Sequence, residues 1–320
     1  MPTKSLPFID RDAMRRTVST ADLLDAVEAA YRDVSAGRDR SPMRSHLGLA
    51  DGTLLLMPGL REGAAGASVK LVTVMPGNAA RGLPTIHAVV VWFDAQTGRP
   101  IAILDGAELT AMRTGAASGV GTRLLARTDA ETLAVIGAGA QAEWQVRAVL
   151  AARTIRRVSV YARDSERRAA FARRMADETG ITVEPAADAE TAIRDADIVC
   201  CATTSSEPVF DAAWVRPGTH VNGIGAYHLG MVELPPELFA RAGPVAIDSH
   251  AASMAEAGDV VAAITLGFVA EDDLVEIGTI DRGWAARRDP DAITIFKSVG
   301  LAIQDVAAAG LVTAGMTAEA

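Results

Sequence analysis

The run Gly137-Ala138-Gly139-Ala140-Gln141-Ala142 follows the apolar stretch Leu133-Ala134-Val135-Ile136. Its spacing is Gly-x-Gly-x-x-Ala. Gly137 permits a tight turn after a strand, and Gly139 lets backbone approach a pyrophosphate. Ala142 lets the next helix lie close on its sheet. Free N–H groups and the positive dipole end of that helix favour phosphate. A tight glycine turn with no ligand has the same spacing. Here, however, the run sits between an apolar strand and a helical stretch over 141–152, with a second strand about 20 residues on. We therefore assign Gly137, Gly139, Ala140, Gln141 and Ala142 to a dinucleotide.

The second strand discriminates between dinucleotides. An NAD site wants Asp or Glu at its end, to accept from the ribose hydroxyls. The sequence reads Val158-Ser159-Val160-Tyr161-Ala162-Arg163, with no acid at the end and with Ser165, Arg167 and Arg168 close behind. A guanidinium binds a 2′-phosphate bidentately, whereas a carboxylate repels it. NADP(H) is thus the preferred cofactor and NAD(H) the alternative. In the bland reading Arg163 is a solvated loop charge and Asp164 caps the next helix.

Three cations stand out in the first part of the chain. Arg44 follows Pro42-Met43. Lys70 interrupts the β-like run Ala67-Ser68-Val69-Lys70-Leu71-Val72. Arg113 lies in Leu109-Thr110-Ala111-Met112-Arg113-Thr114-Gly115-Ala116-Ala117. A lysine in a core strand needs a partner or an anionic ligand. Alternation puts Lys70 opposite Val69 and Leu71, on a face that could equally be solvent. A loop charge and a helix salt bridge are the plain readings of Arg44 and Arg113.

These residues need elements to position them. The chain has 320 residues, which suggests about two domains. Residues 19–37 read as a helix capped by Ser19 or Thr20 and ended by Gly37. Short β-like runs over 53–57, 67–75, 85–93 and 100–104 suggest an antiparallel meander, and a helix over 107–126 carries Arg113. From 131 onward apolar strands alternate with helices, as in a parallel sheet covered on both faces. The expected fold class is α/β. A Rossmann-type doubly wound parallel sheet over 126–292 accompanies a mixed α+β unit over 1–125, joined by a C-terminal helix over 293–320.

Composition excludes several classes. Lys+Arg number 31 and Asp+Glu 40, for a net charge of −9, so nothing in the overall charge attracts nucleic acid or an anionic membrane. No apolar run reaches the ~18 residues of a membrane span, and the N-terminus does not read as a secretory signal. Cys200 and Cys201 are adjacent, which suits neither a disulfide framework nor a metal site. His46, His87, His220 and His250 show no ligand spacing, so no metal is expected. A cytoplasmic protein is the default.

With these residues in view, the chain resembles the ornithine cyclodeaminase/mu-crystallin family over nearly its whole length. The matching segments are Gly52-Thr53-Leu54-Leu55-Leu56-Met57-Pro58, Val69-Lys70-Leu71-Val72, Leu104-Asp105-Gly106, and the Arg113-Thr114-Gly115-Ala116 stretch. The Gly137 turn and the late Phe296-Lys297-Ser298-Val299-Gly300 with Asp305 complete the match. The resemblance implies a homodimer joined through the first domain. It implies that Arg44, Lys70 and Arg113 hold a substrate α-carboxylate beside the nicotinamide, and that Thr114 lies at the cofactor. Orienting the carboxylate would set the angle of hydride transfer.

Two departures bear on the reaction. The cyclodeaminase branch carries an Asp in the glycine-rich turn that here reads Gly223-Ile224-Gly225-Ala226-Tyr227-His228-Leu229-Gly230, where Tyr227 stands in its place. It also carries a Glu where this chain has Leu55. Nothing then receives the side-chain ammonium of ornithine. The resemblance therefore implies an NAD(P)H-dependent reductase of cyclic imine carboxylates, of the pyrroline-2-carboxylate or piperideine-2-carboxylate kind. Lys70 would add a donor to the carboxylate or keep the imine nitrogen protonated. Tyr227 and His228 are candidate neighbours of the substrate or nicotinamide. The alternatives are an ornithine cyclodeaminase or other amino-acid dehydrogenase, and a non-catalytic NADPH-binding protein. In each enzyme reading the partner is a small imine or amino acid with a free carboxylate.

Overall fold

The computed structural model describes residues 5–282 and 289–318. The chain forms two compact units, Met1–Arg113 with Leu301–Ala320, and Thr114–Gly300.

In the first unit, β1 (Phe8–Ile9), β2 (Ser45–Leu49), β3 (Gly52–Gly59), β4 (Gly66–Val74), β5 (Ile86–Asp94) and β6 (Pro100–Asp105) form one sheet, ordered β1-β6-β5-β4-β3-β2. Strands β2 to β6 make the expected antiparallel meander, and β1 adds to β6 in parallel. Helix α1 (Arg11–Thr17) precedes α2 (Thr20–Ser35). The Ser19 hydroxyl caps α2 by accepting from the Asp22 N–H at 3.1 Å. Helix α3 (Gly106–Leu125) carries Arg113 at the edge of the unit.

The period of β4 decides which face its residues take. Ser68, Lys70 and Val72 are buried, while Val69 and Leu71 are only half-buried. The buried face, with Leu55, Met57 and Val90, lies under the terminal helix Ala302–Ala318, against which α2 also packs. That helix comes so close to β3 that a Cβ on Gly59 would stand 2.8 Å from the Ala302 carbonyl oxygen.

In the second unit, eight strands run parallel: β7 (Thr132–Ile136), β8 (Arg157–Tyr161), β9 (Thr182–Pro185), β10 (Ile198–Cys201), β11 (His220–Gly223), β12 (Ala242–Ile247), β13 (Leu274–Glu276) and β14 (Ile293–Lys297). Their order is β13-β12-β14-β11-β10-β7-β8-β9. Helices α4 (Ala142–Ala152), α5 (Ser165–Thr179), α6 (Ala189–Ile193), α7 (Pro236–Arg241), α8 (His250–Glu256) and α9 (Gly258–Thr265) intervene. The chain leaves β7 toward β8 on one side and later returns to β10 on the other. This reversal is the doubly wound switch point, which opens a crevice at the carboxyl ends of β7 and β10.

One expected element is corrected. Residues 293–320 are not a single helix: Ile293–Lys297 is β14, buried between β11 and β12, and the helix starts at Ala302. Ile293, Thr294, Ile295 and Phe296 are β-branched or aromatic and suit a pleated surface. A short apolar run of this kind does not distinguish a buried strand from a buried helix by period.

Candidate active site

Lys70 sits in the middle of β4, and its side chain is 1% exposed. Its ammonium donates to Asp305 Oδ1 at 3.0 Å and lies 2.9 Å from Oδ2. Arg113, also buried, donates from Nε to the same Oδ1 at 3.1 Å. Asp305 thus holds both cations from the terminal helix. Gln304, its neighbour, accepts from Arg113 Nη1 at 3.1 Å and from the Leu301 N–H at 2.7 Å. The Gln304 amide nitrogen in turn donates to the buried Tyr31 hydroxyl at 2.5 Å, on α2.

Charge and burial act together on Lys70. Desolvation lowers its pKa most and the Arg113 guanidinium next. Asp305 opposes them and Arg44 adds to the lowering, so the ammonium is brought down to about 7. Arg44, half-buried just before β2, therefore belongs to the same electrostatic group. The solvent-facing reading of Lys70 is corrected here: Lys70 does face away from Val69 and Leu71, but that face is the core. Arg113 does form a salt bridge, and its partner lies on another helix. A Lys that titrates near neutrality beside guanidinium groups can bind a carboxylate and can hold or give a proton at Nζ.

In the second unit, the Gly137 turn closes β7 as expected. Gly137 has φ 118°, a backbone that side chains rarely adopt, and a Cβ there would stand 2.6 Å from the Ala202 carbonyl oxygen. A Cβ on Gly139 would meet nothing within 4 Å, so backbone is open to a ligand at that point. Gln141 stands at the N-cap of α4 without a side-chain capping bond, and its buried Oε1 has no partner among the described residues. The start of α4, an open glycine and an unsatisfied amide oxygen fit a pyrophosphate with ribose hydroxyls. Ala142 is fully buried at the first position of α4. Ala140 is exposed, and Thr114 is 7% exposed on α3.

At the end of β8, Arg163 is exposed, and Asp164 caps α5 by accepting from the Arg167 N–H at 3.0 Å. The acid nearest the second strand is thereby engaged in its own helix. Tyr227 is half-buried and makes an edge-on contact with the exposed His228 ring, 5.4 Å between centroids. His228 Nδ1 accepts from the Gly230 N–H at 3.1 Å.

Sequence reasoning missed the group beneath this turn. Glu233 Oε1 accepts from the Thr203 N–H at 2.5 Å and its hydroxyl at 2.8 Å. Oε2 accepts from the N–H groups of Gly225 at 2.6 Å and Ala226 at 3.1 Å. One carboxylate thus clips the segment after β10 to the segment after β11. Asp259 accepts from the Glu233 and Leu234 N–H groups and pairs with Lys297 at 2.8 Å, and Lys297 also donates to the Ala226 carbonyl at 2.7 Å. Burial pushes the Glu233 carboxyl up, against the Lys297 ammonium, which pulls it down. Lys297 closes the apolar run Ile293–Phe296, so a cation against a core strand was the signal there, as at Lys70. Gln304 and Tyr31 left no comparable signal, because an amide and a phenol in amphipathic helices look ordinary.

The profile of the ornithine cyclodeaminase/mu-crystallin family matches residues 9–319. A Delta(1)-pyrroline-2-carboxylate reductase of Bacillus cereus is 39% identical over 302 residues, covering 93% of each chain. The structure of Thermococcus litoralis Delta(1)-pyrroline-2-carboxylate reductase in complex with NADH and L-proline superposes with a TM-score of 0.93, at 33% identity over 98% of both chains. An archaeal alanine dehydrogenase dimer with bound NAD gives a TM-score of 0.87 at 31% identity, covering 98% of this chain and 97% of that one.

Proposed function

Since the chain belongs to the ornithine cyclodeaminase/mu-crystallin family, we propose that its cationic cluster is the carboxylate site of a nicotinamide-dependent reductase of cyclic imine carboxylates. The observation that carries this is Lys70 and Arg113 held on the single carboxylate of Asp305, with Arg44 in their electrostatic reach. The cluster carries more positive than negative charge in a buried setting, so an anion is the ligand that completes it. A relative with this fold binds L-proline, the product of such a reduction.

Overall, C=N gains a hydride at carbon and a proton at nitrogen. The bound cofactor supplies the hydride. Arg113 and Arg44 fix the carboxylate and hence the orientation of the adjacent carbon. Lys70 holds a proton at Nζ, which it shares with the carboxylate or with the imine nitrogen. A protonated imine accepts a hydride more readily because its charge is neutralised as the bond forms. Leu55 lies in an apolar core with Met57, Val72 and Ala302, so no acid stands there for a second ammonium. This favours imines over ornithine.

Two finer points belong to the same proposal. NADP(H) is preferred, supported by the exposed Arg163 and by Asp164 spent on its helix cap. The protein is a homodimer through the outer face of the first unit's sheet. Leu54, Leu56, Leu71 and Val91 are only half-buried there, and Leu47 and Val89 are exposed, which leaves an apolar surface without cover among the described residues. The archaeal relative with bound NAD is a dimer.

The test is a substrate panel: pyrroline-2-carboxylate and piperideine-2-carboxylate with NADPH and with NADH, and ornithine with NAD. Reduction of an imine carboxylate to the cyclic amino acid is expected. Ammonia release from ornithine with no imine turnover would overturn the proposal.

A further inference from the structure

We infer that Gln304, braced by Tyr31, is the positioning residue that aims Arg113 at the ligand carboxylate and keeps the cluster in positive surplus. The inference rests on the reductase reading above.

Gln304 is fully buried between two helices and has both ends of its amide committed. Its oxygen takes Arg113 Nη1 and the Leu301 N–H, and its nitrogen donates to Tyr31. Both oxygen partners are donors, so the amide has one orientation that satisfies every group. With Nε held by Asp305 and Nη1 by Gln304, the guanidinium plane is fixed, and neither residue engages Nη2. A fixed plane is what bidentate recognition of a carboxylate requires.

The charged groups that act most strongly on Lys70 are Arg113 on α3, Asp305 on the terminal helix and Arg44 ahead of β2. At position 304 a carboxylate would have the same shape and reach the same donors. It would also cancel the positive surplus that an anionic substrate meets. The neutral amide gives the geometry without the cancellation, and Asp305 remains the one carboxylate paired with both Lys70 and Arg113.

Gln304→Glu tests this against the near-isosteric Gln304→Met, with pyrroline-2-carboxylate as the substrate. Gln304→Glu should raise KM for the imine carboxylate about tenfold or more. It should also move the pH at which kcat/KM falls upward by about one unit, because an added negative charge holds the Lys70 proton. Gln304→Met should raise KM without moving that pH. The KM for NADPH should stay as in the unaltered protein in both. A Gln304→Glu protein that melts normally, with imine KM and pH profile unchanged, would overturn the inference. If Gln304→Glu does not fold, an unchanged imine KM in Gln304→Met overturns it instead. Unaltered protein that reduces no imine carboxylate would overturn the proposed reaction itself, a result separate from either variant.

Discussion

Lys70 titrates where few lysines do, since burial and the neighbouring guanidinium groups bring it to about 7. Below that pH it is an ammonium, and above it an amine. A bound carboxylate favours the ammonium, so loss of the proton weakens the encounter with substrate. The kcat/KM for an imine carboxylate should therefore fall above pH ~7, approaching tenfold per unit. Lys70→Gln should lower kcat/KM at every pH and flatten the limb, which separates Lys70 from titration of the imine itself. Substrate binding near pH 8 should also take up a proton, measurable by calorimetry in buffers of different ionisation heat. Heat independent of the buffer would contradict this.

The connections between elements carry the proposed cofactor side. Glu233 joins the segments after β10 and β11 through four accepted hydrogen bonds. Glu233→Gln turns an acceptor into a donor facing the Gly225 and Ala226 N–H groups. A loss of about 1–3 kcal/mol in stability is expected, visible as a lower melting temperature. NADPH binding should weaken more than imine binding. Arg163→Asp, at the end of β8, should cut kcat/KM with NADPH about tenfold or more and spare NADH, since a charge-assisted bond to phosphate becomes repulsion. Unchanged selectivity would argue against the NADP preference. At this scale the sequence was readable where a motif forces a backbone: Gly137 needs its positive φ, and the helix start follows from it. It was not readable where burial depends on distant packing. Alternation put Lys70 opposite Val69 and Leu71, but only the terminal helix makes that side the core. The same helix was drawn too long because Ile293–Phe296 has no period that betrays a strand.

Across the whole molecule, fold class and family were legible, because strand–helix alternation and the Gly137 turn are local signals. The partnership of Lys70, Arg113 and Asp305 was not, since Asp305 lies 192 and 235 residues from its partners in sequence. No helix among the described residues is long and apolar enough to cross a membrane. The apolar outer face of the mixed sheet is where the proposed dimer would close. Leu47→Glu combined with Val89→Asp places charge on it without touching the buried face. Light scattering should then report a monomer's mass where the unaltered chain gives a dimer's, and an unchanged dimer would place the interface elsewhere.

In the proposed reaction, buried cations select the substrate by its carboxylate. This is tested by comparing pyrroline-2-carboxylate with 1-pyrroline, the same ring without the acid, as substrates of the unaltered protein with NADPH. Two charge-assisted contacts of about 1.5–3 kcal/mol each predict a kcat/KM at least about a hundredfold higher for the carboxylate, and Arg113→Ala should erase most of that ratio. Equal kcat/KM for the two rings would contradict the account.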